Sequence, residues 1–196
     1  LTECSVLDKL MTVQLAAGDI EAALSSAERR CELLATLPVA AASGLELFDG
    51  YGMAADFAVC AGRLPAALTF AQRLHDLPFY REEAHLATAR LLVVTLMSGA
   101  WDQTVANAER FRTSWERAGR PTDGDLNRGA YAAATGYGLR GDDATRAAWL
   151  GLIDDLVVSD LALRDRTCYQ ALDAMLFLHR GQPGRAVARL DVAPED

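Results

Sequence analysis

Several polar side chains interrupt stretches of the chain that are otherwise apolar, and these residues could hold a ligand. Asp49 and Asp56 are seven residues apart, which places them on one face of a helix, two turns apart. Arg90 interrupts the apolar run HLATARLLVVTLM. Charged and hydrogen-bonding groups along one surface would suit a peptide or a small polar ligand. The candidate groove residues are Asp49, Asp56, Arg90, Arg128, Tyr131, Thr135, Met175 and His179.

Arg90 also has a purely structural interpretation. A buried arginine is costly unless an acid neutralises it, so Arg90 could pair with Asp56 or Asp49 inside the fold. We favour this ion pair for Arg90 itself and keep the groove as a hypothesis for the whole set. If the pair is structural, the substitution Arg90→Ala lowers the melting temperature sharply, and an unchanged melting temperature rejects it.

The histidines and acidic residues indicate neither a metal site nor a catalytic one. His75 and His85 flank Asp76, Glu82 and Glu83, but this spacing crosses a proline-containing turn and matches no ligand pattern of a metal site. We expect the two histidines to be solvated or capping side chains. We therefore expect no metal and no cofactor.

Motifs of nucleophilic and phosphate-binding sites are missing from the sequence. It contains no GxSxG or HExxH motif, and Lys9 is its only lysine, which excludes a phosphate-cradling GxxxxGK loop. The acidic pair Asp142-Asp143 stands where a helix should begin, and aspartate is a preferred residue at helix starts. We expect no catalytic residue and no enzyme activity.

Five glycines recur along the chain at similar spacing, and they define the elements that must position the candidate residues. Each follows an apolar, Ala-rich stretch and precedes a second amphipathic stretch. A period near 40 residues is typical of helical hairpins that bury their apolar faces against their neighbours. The sequence predicts one all-α domain over residues 1–196, a right-handed solenoid of about five antiparallel helix pairs. The glycines are Gly18, Gly62, Gly99, Gly141 and Gly181.

Small or apolar residues recur in the second helix of four of the five pairs at the fifth and ninth positions after the glycine, as in tetratricopeptide repeats; the fourth pair departs, with Arg146 at the fifth position. The first helices contain two GYG segments, which we expect to permit close helix packing. The three tryptophans fall on second helices, where we expect them to pack between units. The small or apolar positions are Ala23 and Ala27, Ala67 and Ala71, Thr104 and Ala108, and Ala186 and Leu190.

Composition limits the partners and the cellular location that we expect for the chain. The formal net charge of −8 argues against direct contact with nucleic acid, because phosphate binding needs clustered basic residues. No apolar run approaches the ~20 residues that span a bilayer. Widely separated cysteines without a CxxC pair indicate reduced, core-packed thiols and a cytoplasmic location. The four cysteines are Cys4, Cys31, Cys60 and Cys168.

The segments AGRLPAALTFAQRLHDLP, SGAWDQTVANAERFRTSWERAGRP and LRGDDATRAAWLGL resemble the tetratricopeptide-like region of LuxR/MalT-type actinobacterial transcriptional regulators. Those regulators join an ATPase module, a helical repeat region and a helix-turn-helix. The resemblance implies a piece of a larger protein that senses an effector or protein partner and self-associates, and it transfers no catalytic or base-reading residue. The alternative is a stand-alone scaffold that holds a peptide in its concave groove.

Overall fold

The computed structural model describes residues 2–37, 44–77, 84–121, 124–156 and 163–191, which form ten α-helices and no strand. The prediction of an all-α chain is confirmed for this part of the sequence. None of these helices is long and apolar enough to cross a bilayer. The helices are α1 Thr2–Ala16, α2 Ile20–Thr36, α3 Gly44–Cys60, α4 Leu64–His75, α5 Ala84–Met97, α6 Trp101–Arg117, α7 Gly124–Leu139, α8 Asp143–Leu156, α9 Leu163–His179 and α10 Pro183–Leu190.

The five recurring glycines all lie in the short turns between an odd-numbered helix and the even-numbered helix that follows. Their φ angles lie between 67° and 80°, in the left-handed region that glycine adopts without steric cost. In every one of these turns the next amide donates to the carbonyl five residues earlier, as from Asp19 to Gln14 at 2.9 Å. This bond satisfies a carbonyl at the helix end. The predicted turn position is confirmed in all five places.

Several of the second helices begin directly after an aspartate or at a proline, and the predicted start at Asp142-Asp143 is one of them. The Asp19 carboxylate accepts a hydrogen bond from the amide of Ala22 at 3.1 Å, and the Asp142 carboxylate accepts one from the amide of Thr145 at 3.0 Å. This backbone hydrogen bond lowers the pKa of Asp142. Pro183 is the first residue of α10, where a missing amide hydrogen is harmless.

Each odd-numbered helix packs against the even-numbered helix that follows it along the described chain. The helices α3, α5, α7 and α9 also pack successively against one another, and we call these four helices the inner layer. Two apolar clusters meet in α5: Ala87, Leu91 and Val94 belong to the first, and Leu92 and Leu96 to the second. Because α5 is covered on both sides, its buried positions run almost all the way around the helix.

Glycines inside helices give the inner layer its close contacts. A Cβ at Gly129 of α7 would lie 2.7 Å from the Cα of Ala89 on α5, and one at Gly136 would lie 2.9 Å from Cγ2 of Thr104 on α6. A Cβ at Gly50 would likewise meet Leu34 at 2.6 Å. The expectation that the GYG segments permit close packing is confirmed.

Several predictions of burial are confirmed, and two are wrong. The small positions of α2, α4 and α6 are buried, and so are Trp115 and Trp149, whereas Leu190 is exposed. Cys4 and Cys31 lie in the core as expected, but Cys60 is exposed because it is the last residue of α3. His85, expected to be a solvated or a capping side chain, is buried in the first turn of α5 and is therefore not solvated. Glu82, Glu83 and the side chain of Cys168 lie outside the described residues.

Candidate functional site

Three of the candidate groove residues meet on the inner layer. Asp56 comes from α3, Arg90 from α5 and Arg128 from α7. An Asp56 carboxylate oxygen lies 3.9 Å from Nη2 of Arg90 and 3.8 Å from Nη1 of Arg128. Both arginine side chains are mostly buried, and the carboxylate is about a quarter exposed. We call these three residues the charged row, since they follow one another across three successive odd helices.

Neighbouring residues shape the place that Arg90 occupies. Its guanidinium carbon lies 5.5 Å from the centre of the Phe48 ring, and the guanidinium itself lies against the backbone of Gly52. A cation over an aromatic ring is attracted by the ring's negative face. The ion pair between Arg90 and Asp56, one of the two pairings that the sequence favours, is therefore present and is supported from α3 on two sides.

Asp49 does not join the charged row, contrary to the grouping of Asp49 with Asp56. Its carboxylate instead accepts a hydrogen bond from Arg30 of α2 at 2.6 Å. The same guanidinium bonds to Glu46 at 2.8 Å and to Asp8 at 3.2 Å. The two aspartates share a helix face, but seven residues separate them by about 10 Å along the axis, so each reaches a different neighbouring helix.

The cluster around Arg30 was not predicted. Arg30 is almost fully buried, and the sequence marks it only as part of the Arg29-Arg30 pair. Burial alone would lower the pKa of its guanidinium, but hydrogen bonds to Asp49 and Glu46 and the charge of the surrounding carboxylates outweigh burial and raise it. Arg30 therefore stays charged and links α1, α2 and α3 through its ion pairs, so its role is structural.

Tyr131 lies in a second polar cluster, on α7 and α9. Its hydroxyl donates to the Asp173 carboxylate at 2.7 Å, and its ring stacks on Tyr169 with centroids 4.2 Å apart. Asp173 also accepts from Nε of Arg189 at 2.9 Å, and Arg146 approaches it to 3.6 Å. Burial first, and then the bond to Asp173, raises the pKa of Tyr131. This hydroxyl is a hydrogen-bond donor held in place, and it is no general base.

The remaining candidate residues lie apart from the charged row. Thr135 is buried and its hydroxyl donates to the carbonyl of Tyr131 at 2.9 Å. Met175 packs against the second apolar cluster. His179 is exposed at the end of α9, with its ring edge-on to Trp101 at 4.9 Å between centroids. The structure thus unites three of the eight predicted residues in one site.

Ion pairs between successive units form a regular pattern that the sequence analysis missed. An acid in the first turn of an even helix pairs with an arginine beside the turn glycine of the next unit: Glu21 with Arg63 at 2.8 Å, and Asp102 with Arg140 at 2.6 Å. Asp143 pairs with Arg180 in the same way. The sequence carries a signal for these ion pairs, because each arginine is adjacent to a recurring glycine.

Among the described residues, no group of three or more histidine, cysteine, aspartate or glutamate side chains is placed to hold a metal ion. The charged row places one partly exposed carboxylate between two mostly buried guanidinium groups. Comparison of the chain with protein-family models, with curated proteins and with solved structures gave no match.

Proposed function

We propose that this chain is a non-catalytic binding module, the sensor and interaction region of a LuxR/MalT-type transcriptional regulator. In this proposal the helices form a right-handed, tetratricopeptide-like solenoid of about five antiparallel pairs. Two observations support that arrangement: the same glycine turn closes every described odd helix, and α3, α5, α7 and α9 pack successively against one another. A layered array of this kind presents a long surface and suits recognition better than chemistry.

The charged row is the observation that carries the binding function. Asp56, Arg90 and Arg128 come from three successive odd-numbered helices, and both arginine side chains are mostly buried. Charged residues at such a place are costly to desolvate, and burying them is a weak route to stability. We infer that the row recognises a polar effector or an acidic or polar segment of a partner protein on the concave side.

The charge of the chain defines the partners within this proposal. With a net charge of −8, the chain itself makes no contact with nucleic acid, and DNA would be bound by a separate helix-turn-helix module. Binding of effector or partner would be communicated through self-association in the cytoplasm. No membrane contact is part of the proposal.

A thermal-melting screen distinguishes the sensor from the stand-alone scaffold. The chain is melted with a panel of polar metabolites and, separately, with a library of acidic and polar peptides. Saturable stabilisation by a metabolite supports the sensor, because a ligand that binds only the native state raises the melting temperature. Stabilisation by peptides alone supports the scaffold instead.

The gene around this segment tests the regulator part of the proposal independently. A P-loop ATPase module upstream and a helix-turn-helix downstream in the same reading frame would support it. A start codon directly before Leu1 and a stop codon directly after Asp196 would overturn the regulator and leave the scaffold.

A further inference from the structure

Asp56 is the most accessible group of the charged row. Its side chain is 28% exposed, whereas the side chains of Arg90 and Arg128 are each 12% exposed. The burial of Arg90 depends on Gly52, one turn before Asp56 on α3, because the guanidinium lies in the space that a side chain at residue 52 would fill. A ligand that approaches the row from solvent therefore meets a carboxylate flanked by two more deeply buried cations.

The Asp56 carboxylate accepts no hydrogen bond from any residue in the described part of the chain. Its oxygen Oδ2 lies 3.9 Å from Arg90 and 3.8 Å from Arg128, whereas a charge-assisted hydrogen bond joins nitrogen and oxygen at ~2.7–2.9 Å. An ionised carboxylate can accept about four hydrogen bonds. The two arginines attract Asp56 by charge, but its hydrogen-bonding capacity is left for another donor.

Carboxylates in the other two polar clusters differ in this respect. Asp49, on the same face of α3, accepts a hydrogen bond from Arg30 at 2.6 Å. Asp173 accepts one from the hydroxyl of Tyr131 at 2.7 Å. Each of these carboxylates is bonded to a side chain of the protein itself, so Asp56 is the carboxylate that an external donor can use most fully.

The charges of the row limit which donor can approach Asp56. A cation would come close to two guanidinium groups, since both lie within 4 Å of the Asp56 oxygen. An anion would face the carboxylate, which is the most exposed group of the row. A charged ligand of either sign thus meets a like charge, which costs free energy at such short distances. A neutral donor meets none.

We propose that Asp56 is the residue of the charged row that contacts the ligand, and that the ligand presents a neutral N–H or O–H donor to it, as an amide or a hydroxyl group does. The positive charge of Arg90 and Arg128 excludes cationic ligands from the same place. This inference rests on the proposed function and narrows its ligand to the neutral, polar class.

Four compounds of one length test the class of ligand on the unmodified chain. Succinamide, butane-1,4-diol, succinate and butane-1,4-diammonium share a four-carbon skeleton and differ in the charge of their end groups. Each is titrated into the ¹⁵N-labelled chain, and the shifts of the backbone amides of α3, α5 and α7 give its affinity at the row. The same titrations are made with Asp56→Asn and with the control Asp49→Asn, each verified as folded by its amide spectrum.

The neutral diamide and diol should bind at least about tenfold more tightly than the dianion and the dication. Asp56→Asn should weaken binding of the neutral compounds at least about tenfold, because a hydrogen bond to a charged acceptor is about twice as strong as one to a neutral acceptor. Asp49→Asn should leave their affinity unchanged, since Asp49 is already bonded to Arg30. The comparison of the four compounds on the unmodified chain stands even if Asp56→Asn fails to fold.

Tighter binding of succinate or of the diammonium compound at these helices overturns the neutral class and leaves the charged row as a binding site. Equal affinity of a neutral compound for Asp56→Asn and for the unmodified chain overturns the role of Asp56. Absence of shifts at these helices with all four compounds also overturns the inference, whereas the proposed function fails only if the melting screen finds no ligand either.

Discussion

The guanidinium of Arg90 on α5 lies in the space that a Cβ at residue 52 on α3 would fill, so the glycine at 52 and the arginine at 90 depend on each other. This relationship places Arg90 against Asp56 and Phe48. The charged row therefore depends on a position inside α3 that has no side chain, although glycine costs ~1 kcal/mol relative to alanine at such a position.

Gly52→Ala should have opposite effects in two backgrounds. In the unmodified chain the new methyl group displaces Arg90 from Asp56, and we expect a net loss of about 1 kcal/mol in the free energy of unfolding. In the Arg90→Ala background the space is vacant, so the same substitution should stabilise by about 1 kcal/mol through helix propensity. Urea denaturation of the four proteins measures the coupling. An effect of the same sign in both backgrounds would refute the dependence.

Arg90→Ala alone tests the structural interpretation of the ion pair. It leaves the partly buried Asp56 with Arg128 but removes one of its two cations, and we expect a loss of about 2 kcal/mol. For a chain of this size that loss lowers the melting temperature by about 4–8 °C. Arg110→Ala, at an exposed position of α6, is the matched control and should leave it unchanged. Equal melting temperatures for the two variants would reject a structural role for Arg90.

The closest approach of α5 and α7 predicts a contrast between two glycines. Gly129→Ala forces the new Cβ against the backbone of Ala89, which cannot turn aside as a side chain can, and should cost about 2–3 kcal/mol. Gly151 of α8 is exposed, and its Cβ would meet nothing within 4 Å. Gly151→Ala should therefore stabilise by about 1 kcal/mol. Thermal and urea unfolding measure the change in stability of both variants. Equal changes would contradict the close contact between Gly129 and Ala89.

Two arginines that make ion pairs should differ widely in their effect on stability. Arg30→Ala leaves Asp8, Glu46 and Asp49 facing one another beside a buried gap, and should cost about 3 kcal/mol. Arg63→Ala breaks the pair with Glu21, in which both side chains are mostly exposed, and should cost less than about 0.5 kcal/mol. Urea denaturation at low and high salt measures the loss in unfolding free energy for each variant. Equal losses would contradict the predicted difference between the two ion pairs.

The buried thiol of Cys31 predicts a dependence of stability on alkaline pH. Burial raises its pKa from 9.0 to about 12. The folded chain therefore keeps the thiol neutral where the unfolded chain ionises, so the stabilising contribution is complete below pH 9 and is lost as the pH rises toward 12.

Cys31→Ala removes this contribution. The difference in unfolding free energy between the unmodified chain and the variant should shrink above pH 9 by up to about 1.4 kcal/mol for each pH unit. Urea denaturation at intervals between about pH 8 and pH 11 measures it. A difference that stays constant over that range would show that the thiol ionises alike in both states.

The sequence predicted the fold in large part because its strongest signals are local. A glycine that ends a helix acts within six residues, and the turns at Gly18 and Gly99 form wherever the pattern occurs. The burial of small residues at the fifth and ninth positions after a glycine could be predicted by counting from the same glycines. Leu190 is exposed although its counterpart Ala27 is buried, because burial there needs a following unit and α10 has none in the described chain.

The candidate site could be predicted only in part, because its partners are far apart in the chain. Helical spacing correctly places Asp49 and Asp56 on one face, but it carries no information about which neighbouring helix each one meets. Arg30 reaches Asp49 from another helix pair, and nothing local in the sequence marks it. The pairing of Arg90 with Asp56 could be foreseen, since a charge in an apolar run requires a counter-charge.

The central claim is that the charged row binds a ligand, and isothermal titration calorimetry tests this claim most directly. The tightest ligand found in the melting screen is titrated into the unmodified chain and into the Arg128→Ala and Arg110→Ala variants, each verified as folded. We expect at least about tenfold weaker binding by Arg128→Ala and unchanged binding by Arg110→Ala. Equal affinity of all three proteins would contradict it and would place the binding surface elsewhere on the chain.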